Sequence, residues 1–225
     1  MARRGHHTLE QIKNMVLIAA EDLIVQGGLP QLRVRNIAAK IGYTVGSIYM
    51  VFESMDDLIL QIKGRSLDAI TEEMDQIQCS HPEHCLEELA GVYIRYASQN
   101  LNRWSMVFEH RFPEGMEVPS WYQKKLDNFY GKFETYFAIL YPELSPAQHR
   151  QTALAFLGGI HGVCVLMLTT QLGGLNDNDL EESVILLIRR FIHDGWMNSV
   201  SGITPPKNNS TEAWRLWPVA RPSYC

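Results

Sequence analysis

Apolar residues recur at helical spacing through most of the chain, and the pattern predicts an all-α protein. Thr8 opens a first helix, with Gln11 completing a capping box. Ile12, Val16, Ala19, Leu23 and Ile24 form its inner face, and Gly27-Gly28 stops it. In a second helix Val34, Ile37, Ala38 and Ile41 share one face, and Gly42 ends it. Thr44 caps a third, Thr44 to Phe52, whose apolar edge is Ile48, Tyr49 and Phe52. Its other edge, Val45, Gly46, Ser47 and Met50, carries no large charged residue, so it can approach a surface closely.

The pattern continues without a Pro/Gly-rich linker. Ser54 and Asp57 open a fourth helix, whose stripe of Leu58, Ile62, Ala69, Ile70 and Met74 runs to about Gln78. A fifth is expected from about Pro82 to Asn100, and a sixth within LNRWSMVFEHRF. Pro113, Gly115 and Pro119 mark a loop, after which Ser120 and Gln123 form the capping box of a seventh. Its stripe is aromatic: Tyr122, Phe129, Phe133 and Phe137. Ser145-Pro146-Ala147-Gln148 starts an eighth helix, expected to reach about Leu172. The ninth is expected from about Asn178 to Val200. The segment 201–225, rich in Pro, Ser and Asn, reads as a mostly disordered tail.

The second and third helices, joined by a short Gly-containing turn, read as a helix-turn-helix over residues 33–52. Ile37-Ala38, Gly42, Thr44, Gly46, Ile48-Tyr49, Phe52, Ser54, Asp57 and Leu58 resemble, without gaps, the signature of the TetR family of transcriptional regulators. That pattern reads I-A, G-V-S, G, [LI]-Y, F, S-K, E and L. Tyr43 stands where it has Val, and Thr44 where it has Ser. Val51 replaces a Tyr or His, and Met55 a Lys, that commonly touch phosphate in the family. His161-Gly162 is similar to a His-Gly pair of one branch, with Leu157 in place of that branch's Trp.

The resemblance implies a three-helix DNA-binding head over 8–53 and a helical ligand-binding and dimerisation body over 54–200. Phosphate contacts are expected from Thr44, Tyr49 and Lys40, and base contacts from Val45, Gly46, Ser47 and Met50. Arg35 can touch phosphate or complete a surface ion pair. Trp104, Phe108, Trp121, Tyr122, Phe129 and Phe133 are either plain core or the wall of an apolar effector pocket. His161 is a ligand contact or a hydrogen-bonded core histidine. The implied partners are a double-stranded DNA operator, a second copy joined through the eighth and ninth helices, and a small hydrophobic or aromatic effector. The expected role is a ligand-responsive repressor. A dimeric binding protein with weakened DNA affinity is the alternative.

Charge agrees with this division. The net charge is −5, yet residues 1–52 hold six Lys or Arg against three acids. A basic head on an acidic body suits a polyanion at one end. Two of these six, Arg3 and Arg4, lie in the short arm 1–7. No Ser-His-Asp, paired-carboxylate or phosphate-loop constellation supports an enzyme, and no cofactor is expected. The run CSHPEHC, with Cys79, His81, His84 and Cys85, lacks a recognised zinc spacing and reads as a helix start, so no metal is expected. A Cys79–Cys85 disulfide is not expected either, because a chain opening without an apolar run is assigned to the reducing cytoplasm. From Gln151 to Asn176 there is no charged residue, but Gln151, His161, Gln171 and three Thr argue for a buried interface helix rather than a membrane span.

Overall fold

The computed structural model describes residues 7–109, 115, 117–169 and 177–193. The elements are α1 (Leu9–Gly27), a 3-10 turn (Leu29–Gln31), α2 (Val34–Ile41), α3 (Val45–Tyr49), α4 (Met55–Asp75), α5 (Pro82–Gln99), α6 (Leu101–Glu109), α7 (Ser120–Leu140), α8 (Pro146–Thr169) and α9 (Asp177–His193). Among the described residues there is no strand. The expected arm with Arg3 and Arg4, the loop at Pro113, the ends of the last two helices and the tail 201–225 lie outside the described residues.

Helix starts follow local chemistry in most cases. Thr8 and Gln11 form the reciprocal capping box of α1. The Ser54 hydroxyl accepts from Asp57 N, while the Asp57 carboxylate accepts from Glu53 N, one residue ahead of the cap. Ser145 and Gln148 close the box before α8. The box expected at Ser120 is not formed: Pro119 is the capping position, Ser120 is already helical, and Gln123 donates to Asp127 instead. Proline fixes extended backbone there (φ −59°, ψ 145°), which brings the chain into the helix one residue early. The third helix is also shorter than expected, ending at Tyr49 with Met50 and Val51 in the turn that follows. α4 ends at Asp75 rather than Gln78.

The turn between α4 and α5 brings the Cα atoms of Cys79 and Cys85 to 5.6 Å, within bridging range, and the two sulfurs are bonded. This corrects the expectation of two free thiols, which rested on compartment alone. In that form neither sulfur is a thiolate metal ligand. His84 lies beside Glu87 and Glu88, and Pro82 occupies the first turn of α5 as expected.

Two cores share α4. The head core gathers Val16, Ala20, Ile24, Ile37, Ile48 and Phe52 around Leu58 and Ile62. The body core gathers α5, α7, α8 and α9 around Leu67, Ile70 and Met74. α6 also belongs to both. Trp104 and Val107 enter the body core, and Met106 enters the head core. Residues two positions apart on a helix, such as Trp104 and Met106, stand about 200° apart, so one short helix can face two ways. Polar contacts reinforce the junction: Asn102 donates to the Val25 carbonyl (3.0 Å), and Glu21 pairs with Arg65 (2.7 Å). Arg103 lies 3.9 Å from the same Glu21 carboxylate. Lys63 is buried on α4, where desolvation lowers its pKa to about 8.

Met106 is 1% exposed, so Met106→Ala should leave a cavity in the head core and cost roughly 2–5 kcal/mol. Urea denaturation followed by circular dichroism checks this. A change below about 0.5 kcal/mol would mean that α6 does not hold the head.

Candidate DNA-binding face and aromatic cluster

The α2–α3 turn is built around Gly42, whose φ of +71° is the left-handed conformation that suits glycine. Thr44 then caps α3: its Oγ1 accepts from Ser47 N at 3.3 Å and lies 2.9 Å from Ser47 Oγ. Ile48 turns inward at 1% exposure, which leaves the opposite edge outward. Tyr49 is 47% exposed and Met50 68%. Thr44 and Gly46 are exposed, and Val45 and Ser47 are half-buried. A Cβ on Gly46 would meet only Thr44 Oγ1, at 3.8 Å, so packing within the chain does not demand glycine there.

The expected phosphate contacts are unevenly placed. Arg35 is exposed on α2. Lys40 is exposed but paired with Asp22 of α1 at 3.3 Å. Val51 and Met55 pack against the head core. Tyr43, the departure in the turn, meets the end of the N-terminal arm: His7 Nδ1 lies 2.7 Å from its hydroxyl. The sequence carries no periodic signal for that contact, because both residues lie outside helices.

The aromatic residues are brought together in the body. Trp104, Phe129 and Phe133 are essentially fully buried, and Tyr122 nearly so. Tyr93 of α5 joins them, edge-on to Trp104 at 6.3 Å. His161 sits at the centre: its ring is 4.9 Å from Trp104, and its Nδ1 is 2.9 Å from the Tyr93 hydroxyl. Phe133 and Phe137 continue the cluster onto Phe156 of α8. Burial raises the phenol pKa of Tyr122 and Tyr130, and that of Tyr93 well above its ordinary value, so these stay neutral. Trp121 stands apart, 38% exposed. The Phe108 side chain lies outside the described part of the structure.

Sequence reasoning missed Tyr93 as the partner of His161, and it missed Met106. Tyr93 looked like one more apolar residue on its stripe. Met106 could have been found from the apolar residues on both faces of LNRWSMVFEHRF, where one face would have served a one-sided packing.

α8 and α9 carry a second outward apolar surface. Leu166 is 54% exposed and Leu186 59%, and a Cβ on Gly162 would meet nothing within 4 Å. Gly159 is different, since a Cβ there would crowd Leu187 of α9 at 3.1 Å. α8 is long and apolar enough to cross a membrane (Pro146–Leu168, mean hydropathy 1.7), yet it packs along α7 and α9.

Burial depresses the His161 pKa from 6.5 to about 4, so its imidazole is neutral at pH 7. The unfolded chain takes up that proton below about pH 6.5, but the folded chain only near pH 4. Stability present above pH 6.5 is therefore lost as pH falls towards 4, by at most roughly 3 kcal/mol. Urea midpoints between pH 7 and pH 4 should show this acid slope in the native chain, and His161→Phe should flatten it. An unchanged slope in the variant would assign it to other groups.

Comparison with known proteins gives a consistent result. The family described as "Bacterial regulatory proteins, tetR family" matches residues 16–62. The family described as "Tetracyclin repressor-like, C-terminal domain" matches residues 86–191. No curated protein matches the chain. Among solved structures, a protein of unknown function from Rhodococcus sp. RHA1 is similar with a TM-score of 0.68 at 17% identity, over 86% of this chain and 98% of that one. The transcriptional regulator FadR from Bacillus subtilis, in complex with stearoyl-CoA, has a TM-score of 0.62 at 15% identity, over 80% of this chain and 97% of that one. A TetR transcriptional regulator from Rhodococcus sp. RHA1 gives 0.61 at 14% identity, covering 83% and 99%. At these identities the likeness to the solved structures is one of fold.

Proposed function

Because this chain belongs to the TetR family of transcriptional regulators, we propose that it acts as a ligand-responsive, homodimeric repressor in the cytoplasm. The head is taken as residues 8–53 and the body as 54–200. The observation that carries the reading is the outward edge of α3, where Tyr49 and Met50 are exposed beside a glycine that packing does not require. Gly46 lets the backbone approach a base edge or phosphate. Val45 and Met50 offer apolar contact to thymine methyls, with little Arg-to-guanine readout. Tyr49, Thr44 and Arg35 are the phosphate contacts of this reading, and Lys40 joins them once it leaves Asp22. Dimerisation through α8 and α9 is supported by the exposed Leu166 and Leu186 and by open space at Gly162.

The effector is a small hydrophobic or aromatic molecule accommodated around Trp104, Tyr122, Phe129, Phe133 and His161. Its coupling route is α6, which carries Trp104 in one core and Met106 in the other. A molecule that shifts Trp104 thereby shifts a helix on which the head rests. FadR, a neighbour in fold, holds an acyl-CoA, which supports an apolar ligand. A second reading, a dimeric binding protein with weakened DNA affinity, is favoured by one observation: half-buried apolar Val51 and Met55 stand where the family offers phosphate contacts.

Gly46→Ala separates the two. It should keep or raise the melting temperature, since alanine gains up to about 1 kcal/mol over glycine in a helix. It should also abolish the gel shift of the native protein on the DNA upstream of its own gene. Footprinting should show two half-sites roughly 34–36 Å apart or a multiple of that. A native protein that shifts no DNA, yet sediments as a dimer and binds ligand, would establish the second reading. The salt slope should be shallow, about −0.9 per phosphate neutralised and for only a handful of phosphates, since few cations line this face.

A further inference from the structure

We propose that a cleft between head and body, walled by α1, α4 and α7, binds a small ligand carrying a flat ring and a phosphate, of the mononucleotide class. The cleft has a volume of about 350 Å³ and lies against Lys13 and Leu17 of α1, Gln61 and Arg65 of α4, and Trp121 and Lys125 of α7. That volume falls at the lower end of small-molecule sites. It is separate from the buried aromatic cluster.

The ring platform is Trp121, and its placement depends on a glycine inside a helix. Gly64 lies mid-way along α4, where glycine costs helix stability. A Cβ at that position would fall 2.8 Å from Trp121 Cζ3 and 3.3 Å from Lys125 Cδ. The missing Cβ thus lets the Cζ3 edge of the indole come close to the helix backbone, with part of its surface (38%) still open to solvent. An indole half-open beside a cleft offers a stacking surface, and base-on-aromatic stacking is tolerant of base identity.

The anion end is supplied by Lys13, Arg65 and Lys125, from three different helices. Carboxylates flank two of the three cations. Lys125 pairs with Asp68 of α4, also on the cleft, and Arg65 reaches Glu21 through Nε. Lys13 lies over the Phe52 ring, 5.7 Å from its centroid, rather than on a carboxylate. Three cations against Asp68 and Glu21 leave the cleft positive, within a chain of net charge −5. Arg65 keeps guanidinium donors beyond the one it gives Glu21, which suits a phosphate. Because α1 belongs to the head and α7 to the body, an occupant ties the two together.

The test is isothermal titration of the full-length protein, without DNA, with AMP, adenosine, inorganic phosphate and salicylate. AMP should bind on the order of tenfold more tightly than either adenosine or phosphate, because each lacks one of the two contacts. Lys13→Gln and Trp121→Leu should each weaken AMP at least about fivefold while leaving the melting temperature unchanged. Gly64→Ala, which displaces the indole without removing it, should weaken AMP but raise helicity. The proposal is overturned if AMP does not bind. It is also overturned if phosphate binds as tightly as AMP, if salicylate binds and AMP does not, or if neither Lys13→Gln nor Trp121→Leu changes the affinity. Since no DNA is present, failure here leaves the repressor reading untouched.

Discussion

The structure depends on α4 being buried twice. Its N-terminal turns give Leu58, Ile59 and Ile62 to the head core, while Leu60 among them faces the body core, to which the later turns add Leu67, Ile70 and Met74. A helix shared in this way cannot tilt in one domain and stay still in the other. Close-packed interiors transmit displacement rather than absorb it. The head of α1–α3 is small, and its core is completed by Leu58 and Ile62 of that helix and by Met106 of α6. The head is therefore an extension of the body's packing, although it has a core of its own.

α6 supplies the second tie, and it differs in kind. α4 is a long helix whose two ends serve two cores. α6 is short, and its two faces serve them. Trp104 contacts His161 on one side, while Arg103, Asn102 and Met106 contact α1 and the head core on the other. Rotation of α6 about its own axis would move both faces at once. Coupling between sites requires an element with two arrangements that both sites bias. On the proposed reading α6 is that element, and the rest of the aromatic cluster decides which arrangement is populated.

Most helices were legible from residue spacing, because they bury one stripe, and α1, α3, α4 and α8 are also capped by side chains with recognisable chemistry. The turn signature was legible as well, from Gly42, Thr44 and Ile48-Tyr49. What escaped were features that depend on distant chain segments. Ser120 looked like a cap, but the backbone set by Pro119 took that role. Cys79 and Cys85 were judged by compartment, and the α4–α5 turn brought them together regardless. Trp121 was grouped with Trp104, Tyr122, Phe129 and Phe133 as core or pocket wall, yet it adjoins Tyr122, and adjacent residues on a helix stand about 100° apart and face different partners. Gly64 gave no sign of its purpose, since a mid-helix glycine reveals what it makes room for only when the neighbouring helix is in place.

The charge distribution acquires a structural meaning once the helices are placed. Read along the sequence, the head is basic and the body acidic, which describes two regions and a boundary. In the fold, the cations Lys13, Arg65 and Lys125 gather where α1, α4 and α7 meet, so positive charge is concentrated at the junction itself. Glu21 and Asp68 hold two of them in place and partly neutralise them. An anion entering there would compete with these carboxylates and would reset the same contacts by which α1 is held to α4. The aromatic cluster works differently: its groups are neutral at pH 7, with burial keeping His161 unprotonated and raising the phenols. On the two proposed readings the head has two chemically distinct handles, an apolar one acting from the body core through α6 and an electrostatic one acting at the junction through α1.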